Sequence, residues 1–415
     1  VTSYEYTGLN GSTKYAFRVC STDGSSVSEG AIIREDTLMG WYQEAIFKAS
    51  NGSGYDNFGY SVAISGDTAI VGAIREDSSQ TTITNGPTSS GKNLGNEVGA
   101  SYIYKRTMNA SGPTWAQEAY VKASNAESLD YFGRSLALSG DTAMVVSTNE
   151  SSAQITITNG SMSSADNLAP GAGASYIYKR TVNALGSSWA QEAYVKASRP
   201  TGGFGTSVAL SGDTAMVGAS GDSSNQTTIT NGTTSSADTS LSGAGASYIY
   251  RRIGAAWAQE AYIKASNADA SDFFGNSSAI SGDTAIVGAS DEDSNQTTIT
   301  NGPTSSVDNS ALYAGATYVY KRTVNASGST WAQEAYLKAS NADANDYFGY
   351  SVALSGDTVI VGSYQEASSQ TTITNGQAAS TNNNASWAGA SYIYKHTGTA
   401  WTQEAYLCLL YTSPS

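Results

Sequence analysis

Four short apolar runs separated by polar, turn-rich stretches recur in the same order five times along the chain. In the first copy, Ser61–Ile64 leads into the reversal Ser65-Gly66-Asp67. Thr68–Val71 follows and runs into Gly72-Ala73. A polar segment intervenes, then Ser101-Tyr102-Ile103-Tyr104-Lys105-Arg106, then Trp115–Val121. Helical periodicity is absent, and β-branched and aromatic runs bounded by Gly, Asn and Ser predict strands. Gly66 supplies the backbone freedom that a tight reversal needs.

Each copy opens on Phe-Gly: Phe58-Gly59, Phe132-Gly133, Phe204-Gly205, Phe274-Gly275 and Phe348-Gly349. A recurrence of this size predicts a repeat architecture in which each copy buries itself against its neighbours. Side-chain size orders the strands: the first two carry Ala, Val, Ser and Gly, the last two Tyr, Ile and Trp. Blades that converge on an axis require that gradient. The prediction is therefore an all-β propeller of four-stranded blades, in preference to a solenoid. Near-continuous runs such as Thr68-Ala69-Ile70-Val71 fit strands buried on both faces.

The Phe-Gly opening, the following strand and Val-Gly-Ala before a third strand resemble the FG-GAP repeat of integrin alpha-chain propellers. They resemble the bacterial FG-GAP repeat proteins still more closely. The resemblance spans about Trp41 to Leu407 and implies a β-propeller, often seven-bladed, used in extracellular recognition or adhesion. One departure matters. Many integrin-type blades carry an acidic calcium loop between the inner two strands. Here that connection is only Ser-Gly-Asp, with one carboxylate each from Asp67, Asp141, Asp213, Asp283 and Asp357. One carboxylate in a tight turn cannot supply the six to eight oxygens that calcium takes. No cofactor is expected, and the resemblance leaves calcium open only outside those loops.

Composition narrows the partners. Lys+Arg is 21 and Asp+Glu is 35, a net charge of −14, which argues against phosphate backbones and anionic lipid as partners. Only 13% of the 415 residues are charged, and Ser, Thr, Asn and Gly fill the surface, as in many secreted proteins. No run approaches a membrane span, and no leader opens the chain. The start at Val1 suggests a fragment. Two cysteines, Cys20 and Cys408, make no disulfide framework.

The ends fall outside the period, dividing the chain into 1–38, 41–407 and 408–415. Tyr4–Leu9 and Tyr15–Val19 resemble the last strands of a fibronectin type III domain, with Leu9 and Tyr15 at tyrosine-corner spacing. Where every earlier copy reads Lys-Ala-Ser (Lys48, Lys122, Lys196, Lys264, Lys338), Cys408–Ser415 reads Cys-Leu-Leu-Tyr-Thr-Ser-Pro-Ser. That string resembles the translation of a transposon-type sequencing adapter, TGT CTC TTA TAC ACA TCT CCG AGC, and is expected to be artefactual. Outer-type strands start at Trp41, Trp115, Trp189, Trp257, Trp331 and Trp401, whereas inner triplets number five. Trp41–Phe47 therefore reads as a closing outer strand. The expected state is five complete blades of a truncated seven-bladed ring, forming an open arc or a strained smaller ring.

Candidate chemistry is sparse. The single histidine, His396, stands where other copies have Arg106, Arg180, Arg252 or Arg322, and reads as a surface residue. No His/Cys spacing suggests zinc, and no Gly-rich turn has the context of a phosphate loop. Glu44, Glu118, Glu192, Glu260, Glu334 and Glu404 recur on outer strands, where third-strand cations could pair with them. The polar connection shares Gln80–Gly86 with counterparts at Gln154, Gln226, Gln296 and Gln370, and ends in a hairpin-like Asn-Gly. Its flanks vary: Arg75-Glu76-Asp77, Asn149-Glu150-Ser151, Asp291-Glu292-Asp293. Asp291 and Asp293 are a weak metal candidate, read first as a solvated acidic tip. Asn225-Gln226-Thr227 and Asn295-Gln296-Thr297 match glycosylation acceptors. Connections on one propeller face are where ligands bind. The expected function is non-catalytic: a secreted or cell-surface adhesion module binding protein or glycan, with no nucleic acid and no membrane insertion. The alternatives are the accessory propeller of a secreted enzyme whose catalytic domain is missing, or a structural spacer.

Overall fold

The computed structural model describes residues 14–19, 31–36, 43–91, 94–184, 186–199, 202–326 and 328–408. Contacts divide it into two units, 1–47 and 48–415. In the first, β1 (Lys14–Val19) pairs antiparallel with β2 (Ala31–Asp36), in a register that sets Tyr15 opposite Glu35. Residues 43–47 form no strand. The expected closing strand is thus absent from its described part, and Trp41 lies outside the described residues, as do Cys20, the fibronectin-like Leu9 and the tail after Cys408.

The second unit is five antiparallel sheets, one per repeat, with no helix among the described residues. The first sheet contains β3 (Phe58–Ser65), β4 (Thr68–Ala73), β5 (Thr84–Asn85), β6 (Ala100–Asn109) and β7 (Gly112–Val121), in the spatial order β3-β4-β6-β7-β5. The other four sheets repeat this order. Gly66 turns β3 into β4 with φ +55°. The expected four strands are present, and a fifth joins them. The two-residue β5 pairs Thr84 with Tyr120 and Asn85 with Ala119, covering the outer edge of β7. Two residues are too few to show any alternation, so the sequence pattern cannot reveal them. Covering that edge removes a row of unpaired backbone groups.

Four apolar cores lie between consecutive sheets. The first joins Ile70, Ile103 and Val121 of one sheet to Phe132, Leu136, Leu138, Val145 and Tyr176 of the next. The first strands of neighbouring sheets lie against one another, whereas the outer strands touch only lightly, so β3 and its counterparts are innermost. The faces of the two end sheets differ from those inside. Val62 and Ile64 on β3 are 69% and 67% exposed, whereas the equivalent Leu136 and Leu138 are 9% exposed. Ile360 in the fifth sheet is 39% exposed, whereas the equivalent Ile286 is fully buried. Among the described residues no core joins the fifth sheet to the first.

Candidate functional site: a variable rim on a fixed frame

Most recurring residues build the frame. Phe132 is fully buried and meets Tyr176 edge-on at 5.4 Å. Phe204, Phe274 and Phe348 do the same with Tyr248, Tyr318 and Tyr392, and the half-buried Phe58 meets Tyr102 edge-on. The glycine after Phe serves the neighbouring sheet. The Gly133 carbonyl accepts a hydrogen bond from Ser61 Oγ at 2.5 Å, and a Cβ on Gly72 would lie 2.2 Å from that carbonyl oxygen. At the first, third and fourth seams Phe-Gly of one repeat and Val-Gly of the preceding one thus meet backbone to backbone, an approach that glycine permits, whereas the second repeat carries Val146 at that position. Gly205 and Gly275 carry the same positive φ, +95° and +96°. At Gly349 it is +89° and at Gly59 +94°.

The recurring glutamates also act between sheets. Glu118 accepts from Arg180 Nη2 (2.7 Å), Trp189 Nε1 (2.8 Å) and Ser187 Oγ (2.5 Å), all in the next repeat. Burial alone would raise its pKa, but these bonds outweigh burial and hold Glu118 below the ordinary value. Glu260 repeats the arrangement with Arg322, Ser329 and Trp331, and its pKa is lowered in the same way. Third-strand cations do pair with these glutamates, but across the seam instead of within one sheet. Arg180 also lies 3.4 Å from Asp141 in the Ser-Gly-Asp turn of its own sheet. His396, standing in for arginine, lies 3.9 Å from Glu334 and tilts against Trp401.

The shared insertion belongs to the frame as well. Asn85 Oδ1 accepts from the Trp189 amide at 2.7 Å, and Asn85 Nδ2 donates to the Trp189 carbonyl at 3.2 Å. Gln80 braces the strand by donating to the Thr82 carbonyl and to Thr84 Oγ1. The shared part of the long connection is therefore a joint between repeats.

One element of the frame escaped the sequence reading. Glu76, Glu150 and Glu292, placed there among variable polar flanks, are buried. Glu76 takes Lys122 Nζ at 2.9 Å, Tyr120 OH at 2.9 Å and Asn51 Nδ2 at 2.8 Å. Lys122 also donates to the Gly99 carbonyl at 2.6 Å. Burial pushes the Lys122 ammonium pKa down, and Glu76 pulls it back. The third repeat has Asp222 in place of Glu. Its shorter side chain leaves Lys264 3.7 Å away, and Arg199 closes the gap at 2.9 Å. The signal was a constant offset: Glu76, Glu150, Asp222, Glu292 and Glu366 stand equally far beyond Phe58, Phe132, Phe204, Phe274 and Phe348.

The copies disagree on the rim where the first strands begin and the second strands end. After Phe-Gly stand Tyr60, Arg134, Thr206, Asn276 and Tyr350. Arg134 sits over the Tyr60 ring at 5.7 Å, and Asn276 Nδ2 donates to Ser290 Oγ at 3.1 Å. Between the fourth and fifth repeats the rim becomes aromatic. Tyr313 stacks on Tyr347 at 5.5 Å and 7°, Tyr347 meets Tyr364 at 5.2 Å, and Tyr364 meets Tyr350 at 4.4 Å. Tyr350, Tyr364 and Tyr313 are 54%, 45% and 37% exposed. Tyr313 and Tyr347 hold φ +59° and +55°, a region that bulky residues rarely occupy.

Asp291 and Asp293 stand beside this cluster and are not a solvated tip. Asp291 accepts from Ser290 Oγ at 2.7 Å, and Asp293 accepts from the Tyr313 amide at 2.7 Å. Burial raises both pKa values. The structure gives these carboxylates to loop geometry. Among the described residues no three His, Cys, Asp or Glu side chains converge to hold a metal ion, and no helix is long and apolar enough to cross a membrane.

The FG-GAP repeat family matches five stretches, residues 41–104, 115–178, 189–250, 257–320 and 331–394. The last four begin on the tryptophans of outer strands, the first begins at Trp41, and all five end within the third strand. No curated protein matches the chain.

Proposed function

We propose a function from one premise, that the chain belongs to the FG-GAP repeat family. The chain is a non-catalytic recognition module of the extracellular space or cell surface, and its rim binds the ligand. The observation that carries this reading is the division of labour among residues. Those present in every repeat are spent on seams and buried nodes, while exposed variation gathers on the rim.

The ligand class that suits Tyr313, Tyr347, Tyr364 and Tyr350 is a neutral glycan. Tyrosine offers an apolar face for the C–H side of a sugar ring and a hydroxyl for its edge. A net charge of −14 disfavours sialylated or sulfated chains. A protein ligand is the second reading. It is favoured by the charged end of the rim, where Arg75 lies 3.4 Å from Glu97 and Tyr131 OH donates to Glu97 at 2.7 Å.

The test is binding of the folded chain to an array of neutral and sialylated oligosaccharides, followed by calorimetry. Tyr350→Ala and Tyr313→Ala should each weaken binding about tenfold, and Tyr60→Ala should leave it unchanged. If no glycan binds, the glycan reading fails. A protein-array partner that is lost with Glu97→Ala would then support the second reading.

A further inference from the structure

The buried node at Glu76 gathers the groups of an acyl-transfer reaction. Glu76 Oε2 faces Lys122 Nζ at 2.9 Å, and Glu76 Oε1 accepts from Asn51 Nδ2 at 2.8 Å. One carboxylate thus bridges an amine and a side-chain amide. Tyr102 OH donates to Asn51 Oδ1, and Asn51 Nδ2 also donates to the Ser90 carbonyl. Lys122, Glu76, Tyr102 and Tyr120 are buried, which shields the node from water. A nucleophilic amine, a proton carrier, an amide carbon and a donor on the amide oxygen are what a transamidation needs.

The same set recurs twice. Lys196, Glu150, Asn125 and Tyr176 form it in the second repeat, and Lys338, Glu292, Asn267 and Tyr318 in the fourth. The third repeat lacks the amide, because Arg199 stands at the asparagine position beside Asp222. The fifth lacks the amine, because Cys408 stands at the lysine position.

We propose that the nodes of the first, second and fourth repeats join their lysine to their asparagine through a side-chain amide bond, with no cofactor and no second protein. Glu76 takes one proton from the Lys122 ammonium, and the freed amine attacks Asn51 Cγ. Tyr102 OH stabilises the charge that develops on Oδ1. The Nζ–Cγ bond forms and the Cγ–Nδ2 bond breaks. Protons pass from the attacking nitrogen to the departing one through Glu76. An ammonium ion leaves, and Glu76 ends ionised, as it began. Burial favours the neutral amine, but Glu76 holds the proton on it. The ion-paired node is therefore the reactant, the reactive form is the minor one, and the bond accumulates as the folded chain ages. Lys122 and Asn125 lie in one Lys-Ala-Ser-Asn run, so the bonds Asn51–Lys122 and Asn125–Lys196 follow one another along the chain.

Ageing of the folded full chain, followed by proteolysis and tandem mass spectrometry, tests this. Branched peptides joining Lys122 to Asn51, Lys196 to Asn125 and Lys338 to Asn267 should accumulate, and none should contain Lys264. Loss of ammonia alone is not the readout, because Asn51-Gly52 also loses it when it closes to a succinimide. Glu76→Gln removes the proton carrier and should abolish the first link. The other two links should form at the wild-type rate in that variant, which reports that the chain is folded. If Glu76→Gln unfolds the chain and all links vanish, Tyr102→Phe takes its place. There the first link should form about a hundredfold more slowly, with the other two unchanged. Absence of branched peptides from the aged wild type would overturn the proposal. So would a first link that forms in folded Glu76→Gln or in Tyr102→Phe as fast as in the wild type.

Discussion

The buried acidic nodes of the second and fifth repeats share one scaffold and differ in one residue. In the second, Glu150 takes Asn125 Nδ2 at 2.9 Å, Tyr194 OH at 2.7 Å and Lys196 Nζ at 2.6 Å. In the fifth, Glu366 takes Asn341 Nδ2 at 2.8 Å and the Ser368 amide at 3.1 Å, and Cys408 occupies the lysine position. The Cys408 thiol turns instead to the Thr372 carbonyl at 3.2 Å. Glu366 is as deeply buried as Glu150, and burial raises its pKa. Neutral partners therefore suffice to place the carboxyl.

Making the second node resemble the fifth should have the largest effect. Lys196→Met leaves a buried carboxylate with neutral partners alone, and urea unfolding should show a loss of about 3–5 kcal/mol. Adding Glu150→Gln should recover most of it. A single-variant loss near zero would mean that the lysine is dispensable. The third node comes next. Arg199→Ala removes the bridge that compensates for the short Asp222 side chain, and should cost about 2 kcal/mol in the same assay.

The reverse exchange is gentler. Cys408→Lys restores the cation at a half-exposed position, and should stabilise the fifth repeat by about 1 kcal/mol, read as a higher unfolding midpoint. The last comparison is of pH dependence. Glu366 is raised by burial, and Asp346 in the same repeat is pushed up to about 7, also by burial. Groups with raised folded pKa values contribute fully below the ordinary carboxylate range and lose that contribution as pH rises through the folded values. Amide protection in the fifth repeat, corrected for intrinsic exchange, should fall between about pH 4 and pH 8. Asp346→Asn should flatten most of that slope, and Cys408→Lys the part due to Glu366. A slope unchanged by both would contradict the assignment.

Much of the frame is legible in the sequence because it rests on local rules. Phe-Gly, the Ser-Gly-Asp reversal and the small-to-large order of strands each act within a few residues, and each marks an element that the structure contains. Residues whose partners lie in another repeat are harder to read. Glu118 looks like a surface carboxylate until Arg180, Ser187 and Trp189 of the next sheet surround it. Asn85 looks like a hairpin residue until it grips the Trp189 backbone. Glu76 lies in a polar run whose composition says exposed, and only Lys122 and Tyr120, far along the chain, make its burial tolerable. The tyrosine rim was hidden for another reason. Tyr347 and Tyr350 flank an invariant Phe-Gly and read as part of the motif, while Tyr313 and Tyr364 come from other stretches of chain.

The Asn85–Trp189 grip sets a timetable. During synthesis the first repeat emerges with β5 and Glu118 complete, yet its clasp needs the last strand of the second repeat, about a hundred residues later. Each repeat is thus finished by its successor, and ordering advances along the nascent chain with a lag of one repeat. A ribosome stalled just before Trp189 should carry a first repeat that is collapsed but still open to protease at its outer edge, whereas one stalled beyond Tyr194 should carry it sealed.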